Sequence, residues 1–172
     1  MVQKQDQAHT AVSGIARAIG PIIKKWIQEI RFNQWWSNYP AGEAEEVKKQ
    51  IGGKVNAGWI DNTCAIRISR VLNYSGFEIP YTQGETISGA DGKWYFYRIR
   101  NLRPYLESKL GAPNYTFSPP YDMTEISKLK GFIHFDVKVW RDATGHFDLW
   151  NGNTCAHACY FDKASSISIW TA

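Results

Sequence analysis

The chain has little that would place it in a membrane or on a nucleic acid. No apolar run approaches the about 18 consecutive residues that a membrane span needs, and the N-terminal MVQKQDQAHT has no signal-peptide core. A protein made in the cytoplasm without a cleaved signal, and without a membrane span, is the expectation. No block of about five or six like charges marks a nucleic-acid arm. The net charge of +4, from 20 basic and 16 acidic residues, favours anionic partners only weakly, so no nucleic-acid partner is expected. Internal repeats and low-complexity linkers are also missing, which leaves one domain, 1–172, as the reading for this length. Cysteine is scarce at three residues, and each needs a role. What is abundant is apolar: aromatics at 15% and hydrophobics at 44% exclude a largely disordered chain.

Two periodicities divide the sequence. From Thr10 to Trp36, Val12, Ile15, Ile19, Ile22, Ile23, Trp26, Ile27 and Ile30 recur at helical spacing. Pro21 lacks an amide hydrogen, so this stretch predicts two helices or one kinked helix ending at Asn38 to Pro40. GEAEEVKKQIGG predicts a short exposed helix, and RIRNLRPYLESKL one whose regular part starts near Arg103 or Pro104. The period then changes to two. GFIHFDVKVW (131–140), GHFDLWNG after the turn RDATG, and SSISIW near the end each alternate as half-buried strands do. Helices followed by an antiparallel sheet define an α+β class.

NTCAIRISRVLNYSG (62–76) carries the chemistry worth testing. With Asn62 as N-cap, Cys64 falls in the first turn of a helix, where free backbone N–H groups stabilise negative charge. A thiol near about 8.5 can be brought below about 7 there, which a nucleophile requires. A small buried cysteine is the competing reading. In this helix Ala65, Ile66, Ile68, Val71 and Leu72 face the core, Arg67, Ser69 and Arg70 are expected at the surface, and Gly76 is the stop.

A base must come from elsewhere among the four histidines. His9 lies in a polar terminus; His134 is interior to a strand; His157 lies between two cysteines. His146, just after Gly145 at a strand start, leads.

GWIDNTCAIRISRVLNYSGFEIP, with TGHFDLWNG downstream and a close cysteine pair beyond it, resembles the type VI secretion amidase effector family 4, within the NlpC/P60-like, papain-like cysteine peptidases. The resemblance covers about Phe32 to Trp170 and leaves 1–31 as a helical N-terminal extension of a single catalytic domain. It implies a papain-like fold with the nucleophile-bearing helix packed on an antiparallel sheet. It implies Cys64 as nucleophile, His146 as general base, and a third polar residue that orients the imidazole. Family members typically carry an aspartate between the two cysteines, where this chain has His157. Related peptidases use histidine in that role, so His157 is the first choice and Asp148 the second. Side chains two apart on a strand run parallel, about 6 to 7 Å apart, which makes a direct Asp148 to imidazole bond less natural and a solvated Asp148 the simpler reading.

For substrate, the resemblance implies the peptidoglycan stem peptide, cut by this DL-endopeptidase between D-glutamate and meso-diaminopimelate, with no cofactor and no metal. It further implies delivery by a type VI secretion apparatus, action in the target-cell periplasm, and a cognate immunity protein. The oxyanion would meet the Cys64 backbone N–H and one further donor.

Cys155 and Cys159 admit two readings. Extended, they would stand about 13 Å apart, beyond the about 7 Å limit for a disulfide, so a bridge needs a turn, which Gly152 and Asn153 supply. The resemblance favours that bridge. A zinc site using Cys155, His157 and Cys159 would lack a second pair of ligands. Two other classes stay open: a non-catalytic module that binds glycan or peptide through GKWYFYRIR and NYTFSPPYDM, and a zinc-stabilised interaction domain.

Overall fold

The computed structural model describes the backbone of residues 2–138 and 145–172, with side chains at 17, 19–138 and 145–172. The side chain of His9, the last two residues of the 131–140 stretch, and residues 141–144 of the RDATG turn lie outside it.

The N-terminal pattern forms one helix, α1 (Val2–Asn38), with Pro21 inside it. Proline there forgoes one backbone bond, and the turns on either side carry the helix past it. At its C-terminal end Phe32 and Trp35 are buried, and Trp35 lies 4.4 Å from Phe132 of the sheet, ring centre to ring centre. α2 (Ala44–Ile51) starts with a capping box between Glu43 and Glu46. It is amphipathic rather than exposed, because Val47, Lys48 and Ile51 are buried. A 3-10 turn (Gly53–Asn56) leads toward α3 (Cys64–Tyr74), and Gly76, at φ 89°, takes the left-handed turn that ends it.

A short hairpin, β1 (Thr86–Ser88) with β2 (Trp94–Phe96), precedes α4 (Ile99–Leu110). Pro104 is inside α4, and the helix starts five residues earlier than the proline suggests. Burial of Ile99, Leu102 and Leu106 on the domain outweighs the missing hydrogen bond, each apolar side chain contributing roughly 1.5–3 kcal/mol.

The remaining strands form one antiparallel sheet: β3 (Tyr115–Phe117), β4 (Gly131–Asp136), β5 (His146–Trp150) and β6 (Ser166–Thr171), in the order β3-β6-β4-β5. A short helix α5 (Met123–Ile126) lies between β3 and β4. The α+β class and the three strands stand as the sequence indicates, with the first ending at Asp136, but they are buried on both faces rather than half-buried, because helices and loops cover both sides of the sheet. One sheet face receives α3: Ala65, Ile68, Val71 and Leu72 share a core with Phe132, Phe147, Leu149 and Trp170. The other face packs Ile133, Phe135, Trp150, Ile167 and Ile169 with Ile126 and Ala164. Ile66, on the far side of α3, joins Val47, Ile51, Val55, Ile60 and Tyr95. α3, which carries Cys64, is thus held on both sides, and its N-terminus lies beside edge strand β5. Among the described residues, no helix is long and apolar enough to cross a membrane.

Candidate active site

Cys64 is the first residue of α3, one step later than Asn62 as N-cap would place it. Thr63 occupies the cap position. Asn62 still reaches the helix, since its Oδ1 accepts the Cys64 backbone N–H at 2.9 Å. That bond occupies the amide expected to meet the oxyanion. The thiol is buried, unpaired, and 5% exposed. Backbone N–H groups of Phe147 and Ala65 point to the sulfur and favour its anion. Burial wins over both, and the thiol is pushed up to about 11, opposite to the lowering expected from the helix start alone.

The Phe147 amide that reaches the sulfur belongs to the residue between His146 and Asp148. His146 is buried at the start of β5, and its Nε2 lies 3.3 Å from Asp148 Oδ2. The chain reaches His146 through Gly145 at φ 135°, where a Cβ would stand 2.3 Å from the Phe135 carbonyl oxygen and 2.7 Å from His134 Nε2. Only glycine fits there. Tyr160 packs edge-on to the His146 ring at 4.9 Å.

Asp148 is not a solvated strand residue; it is fully buried. Its Oδ1 accepts the Leu149 N–H at 2.7 Å, and its Oδ2 accepts the Ala158 N–H at 2.8 Å and the His157 N–H at 3.1 Å. Four donors thus converge on one carboxylate, counting His146, which is what a buried anion requires. Parallel side chains two apart on the strand meet after all, because this loop draws the carboxylate into place.

The loop exists because Cys155 and Cys159 are bonded to each other, with Cα atoms 5.4 Å apart. The sulfurs are therefore not thiolate ligands for a metal. The turn uses Gly152 at φ 94° and Asn151, whose Oδ1 accepts the N–H groups of Asn153 and Thr154. Cys155 then pairs back on Trp150, and Ala156 donates its N–H to Leu149 O. His157 sits on this loop, but its contribution to Asp148 is its backbone N–H. Its side chain is exposed, and its pKa is held below the ordinary value by partial burial and by the charge of Arg67.

Two further residues belong to the centre and escape sequence reasoning. Arg67 is 1% exposed, not at the surface. Its guanidinium donates to Pro40 O at 2.8 Å, Gly42 O at 2.7 Å and Thr63 Oγ1 at 3.2 Å, tying the α1–α2 connection to the helix that carries Cys64. Ser69 is buried as well, donating to Ala65 O. Tyr39, beside the Arg67 anchor, is 8% exposed, and its hydroxyl makes no hydrogen bond of normal length. Burial, then the Asp148 charge, holds its pKa far above the ordinary phenol range, and the Cys64 charge acts the same way. The only sequence signal for either was an arginine and a tyrosine inside otherwise apolar or helix-ending surroundings.

His134 is separate from this centre. Its Nδ1 lies 3.3 Å from Arg103 Nη1, its ring packs tilted against Phe147 at 4.6 Å, and burial pushes it down to about 3.

The family model described as "Type VI secretion system (T6SS), amidase effector protein 4" matches residues 60–170. The crystal structure of the type VI effector Tae4 from Enterobacter cloacae is 34% identical, with a TM-score of 0.75 over 81% of this chain and 94% of that one. The Tae4–Tai4 effector–immunity complex from Salmonella Typhimurium is 31% identical, with a TM-score of 0.74 over 81% of this chain and 96% of its own. No curated protein matches the sequence. The matched run begins four residues ahead of the thiol and ends inside the last strand, and with relatives above 30% identity over most of its length the chain belongs to the type VI secretion amidase effector family 4.

Proposed function

We propose that this effector hydrolyses the peptidoglycan stem peptide with Cys64 as nucleophile and His146 as general base. The observation that carries the reading is the convergence on β5. The Cys64 sulfur accepts the Phe147 N–H, and the flanking His146 and Asp148 are joined through Nε2 and Oδ2.

The chemistry follows from proton positions. A bond from Nε2 to a carboxylate puts the imidazole proton on Nε2 and leaves the Nδ1 lone pair as the base. The buried thiol stays protonated until substrate arrives. His146 then takes its proton as sulfur attacks the amide carbonyl carbon, and Asp148 stabilises the resulting imidazolium. His146 returns the proton to the leaving nitrogen, the C–N bond breaks, and a thioester remains on Cys64. Water, deprotonated by the same imidazole, attacks the thioester and releases the acid and the free thiol. Asp148 is the third member of this triad in preference to His157, whose part is played by its backbone amide. The Tyr39 hydroxyl, which has no partner of normal length and interacts with both Asp148 and the Cys64 charge, takes the oxyanion contact that the Asn62-bound Cys64 amide does not offer.

The bond assigned is that between D-glutamate and meso-diaminopimelate, with action in the periplasm of a target cell after delivery by a type VI apparatus. Immunity proteins are bound to the relatives in the Tae4–Tai4 complexes, and a cognate inhibitor of this chain is proposed on that basis. Digesting purified stem tetrapeptide and sequencing the fragments by mass spectrometry tests the bond. A new free amine on diaminopimelate is expected; a new amine anywhere else removes this substrate assignment.

A further inference from the structure

Residues 17–31 of α1 precede the stretch matched by the family model and carry an apolar stripe that the domain does not cover. Ile19, Ile22, Ile23, Trp26, Ile27 and Ile30 are 45%, 58%, 50%, 68%, 52% and 64% exposed. Their spacing of three and four places them in one arc of the helix at about 100° per residue. Ile23 and Trp26 each precede a buried residue, Phe32 and Trp35, by nine positions. Nine residues turn the helix about 900°, or two and a half turns, so the stripe points to the side opposite the one packed on the domain. Ile27 and Ile30 also line a groove whose other wall carries Phe77 and Leu110, so it is the Ile19, Ile22 and Trp26 side of the stripe that a flat surface reaches without meeting the domain.

Charge selects among possible surfaces. Arg17, Lys24, Lys25 and Arg31 are all exposed in this segment, and its one acid, Glu29, is paired with Lys130 at 2.7 Å. On the helical wheel Lys24 and Arg31 border the stripe on one edge and Lys25 on the other, where long cationic side chains reach past an apolar face to phosphate. Two copies of this helix laid stripe to stripe would align cation with cation. We propose that residues 17–31 form an in-plane anchor on an anionic phospholipid surface, with the isoleucines and Trp26 at the acyl boundary and Lys24, Lys25 and Arg31 reaching the head groups. Tryptophan at this boundary is the aromatic that suits it best, apolar in body and with one N–H for water.

The test is flotation of the full chain with vesicles. Vesicles of phosphatidylglycerol and phosphatidylethanolamine should bind it at least about ten times better than phosphatidylcholine alone, and added salt should weaken the binding. Ile23→Asp with Trp26→Asp should abolish flotation, and Lys24→Glu with Lys25→Glu should weaken it by about tenfold or more. All four positions are exposed, so helical circular dichroism and hydrolytic activity on soluble stem peptide should stay as in the parent. Absence of flotation, flotation equal on neutral vesicles, or flotation that survives the aspartate pair would overturn the proposal. So would a concentration-dependent dimer by light scattering that the aspartate pair dissolves, which would assign the stripe to a second copy.

Discussion

His146 Nε2 and Asp148 Oδ2 lie 3.3 Å apart on one face of β5, and the carboxylate that holds the imidazole is itself held by the backbone of a disulfide-closed loop. On the proposed mechanism this relationship makes Asp148 the third member of the triad. Asp148→Asn, which keeps shape but reverses the hydrogen-bonding sense of one oxygen, should lower kcat by about two to four orders of magnitude with KM little changed. His157→Ala removes no bond to the centre, since the loop amide stays, and should leave kcat within about fivefold. Steady-state kinetics on a stem tetrapeptide check both; the opposite ranking would return the third position to His157.

Tyr39 presents a buried hydroxyl with no partner of normal length. Tyr39→Phe keeps the ring packing and removes only that donor. On the assignment as oxyanion contact it should lower kcat about a hundredfold, with unchanged thermal stability. A variant with parental kcat would show that the hydroxyl is a spectator.

Reduction of the Cys155–Cys159 bond frees a loop of five residues, counting both cysteines. Chain entropy puts its contribution to stability at about 2 kcal/mol, which is small beside its effect on geometry. Cys155→Ser with Cys159→Ser should lose most activity because the His157 and Ala158 amides no longer converge on Asp148. The parent should lose activity in dithiothreitol to the same extent, whereas the double variant should be insensitive to it. Equal activity of parent and double variant would contradict the clamp.

The acid limb of the stability curve depends on His134. Burial pushes it down to about 3, whereas a histidine in the unfolded chain titrates near about 6.5. Above that higher value both states leave it neutral. Between the two values the unfolded chain binds the extra proton, so stability falls as pH drops from about 6.5 toward about 3. At pH 4.5 the loss is about 3 kcal/mol. His134→Gln should flatten this limb in urea titrations, after a fixed cost at neutral pH; an unchanged slope would move the acid sensitivity to other groups.

How far the sequence carries depends on whether a feature is local. Alternation in GFIHFD, HFDLW and SISIWT is a local signal and those strands stand where the period puts them, but both of their faces are buried, and the polar positions His134, Asp148 and Ser168 are buried with them. The helix start at NTC is local too, to within one residue. The three-residue strands 86–88, 94–96 and 115–117 are too short to show a period. Arg67 looks like a surface residue in any helical wheel, and only the arrival of the Pro40 and Gly42 carbonyls from another element makes its burial tolerable. Asp148 was misread for the same reason. Its donors come from a loop nine and ten residues downstream, folded back by a disulfide. Pro21 and Pro104 mislead in the other direction, since α1 and α4 run through them, α4 being held there by the burial of Ile99, Leu102 and Leu106.

The central claim is that Cys64 forms the covalent bond to substrate. Wild type and Cys64→Ala, matched by circular dichroism, should be incubated with purified peptidoglycan in oxidising buffer and the released fragments quantified by mass spectrometry. The account predicts steady release by the wild type and none above background for Cys64→Ala. Release by Cys64→Ala at a rate near that of the wild type would contradict it.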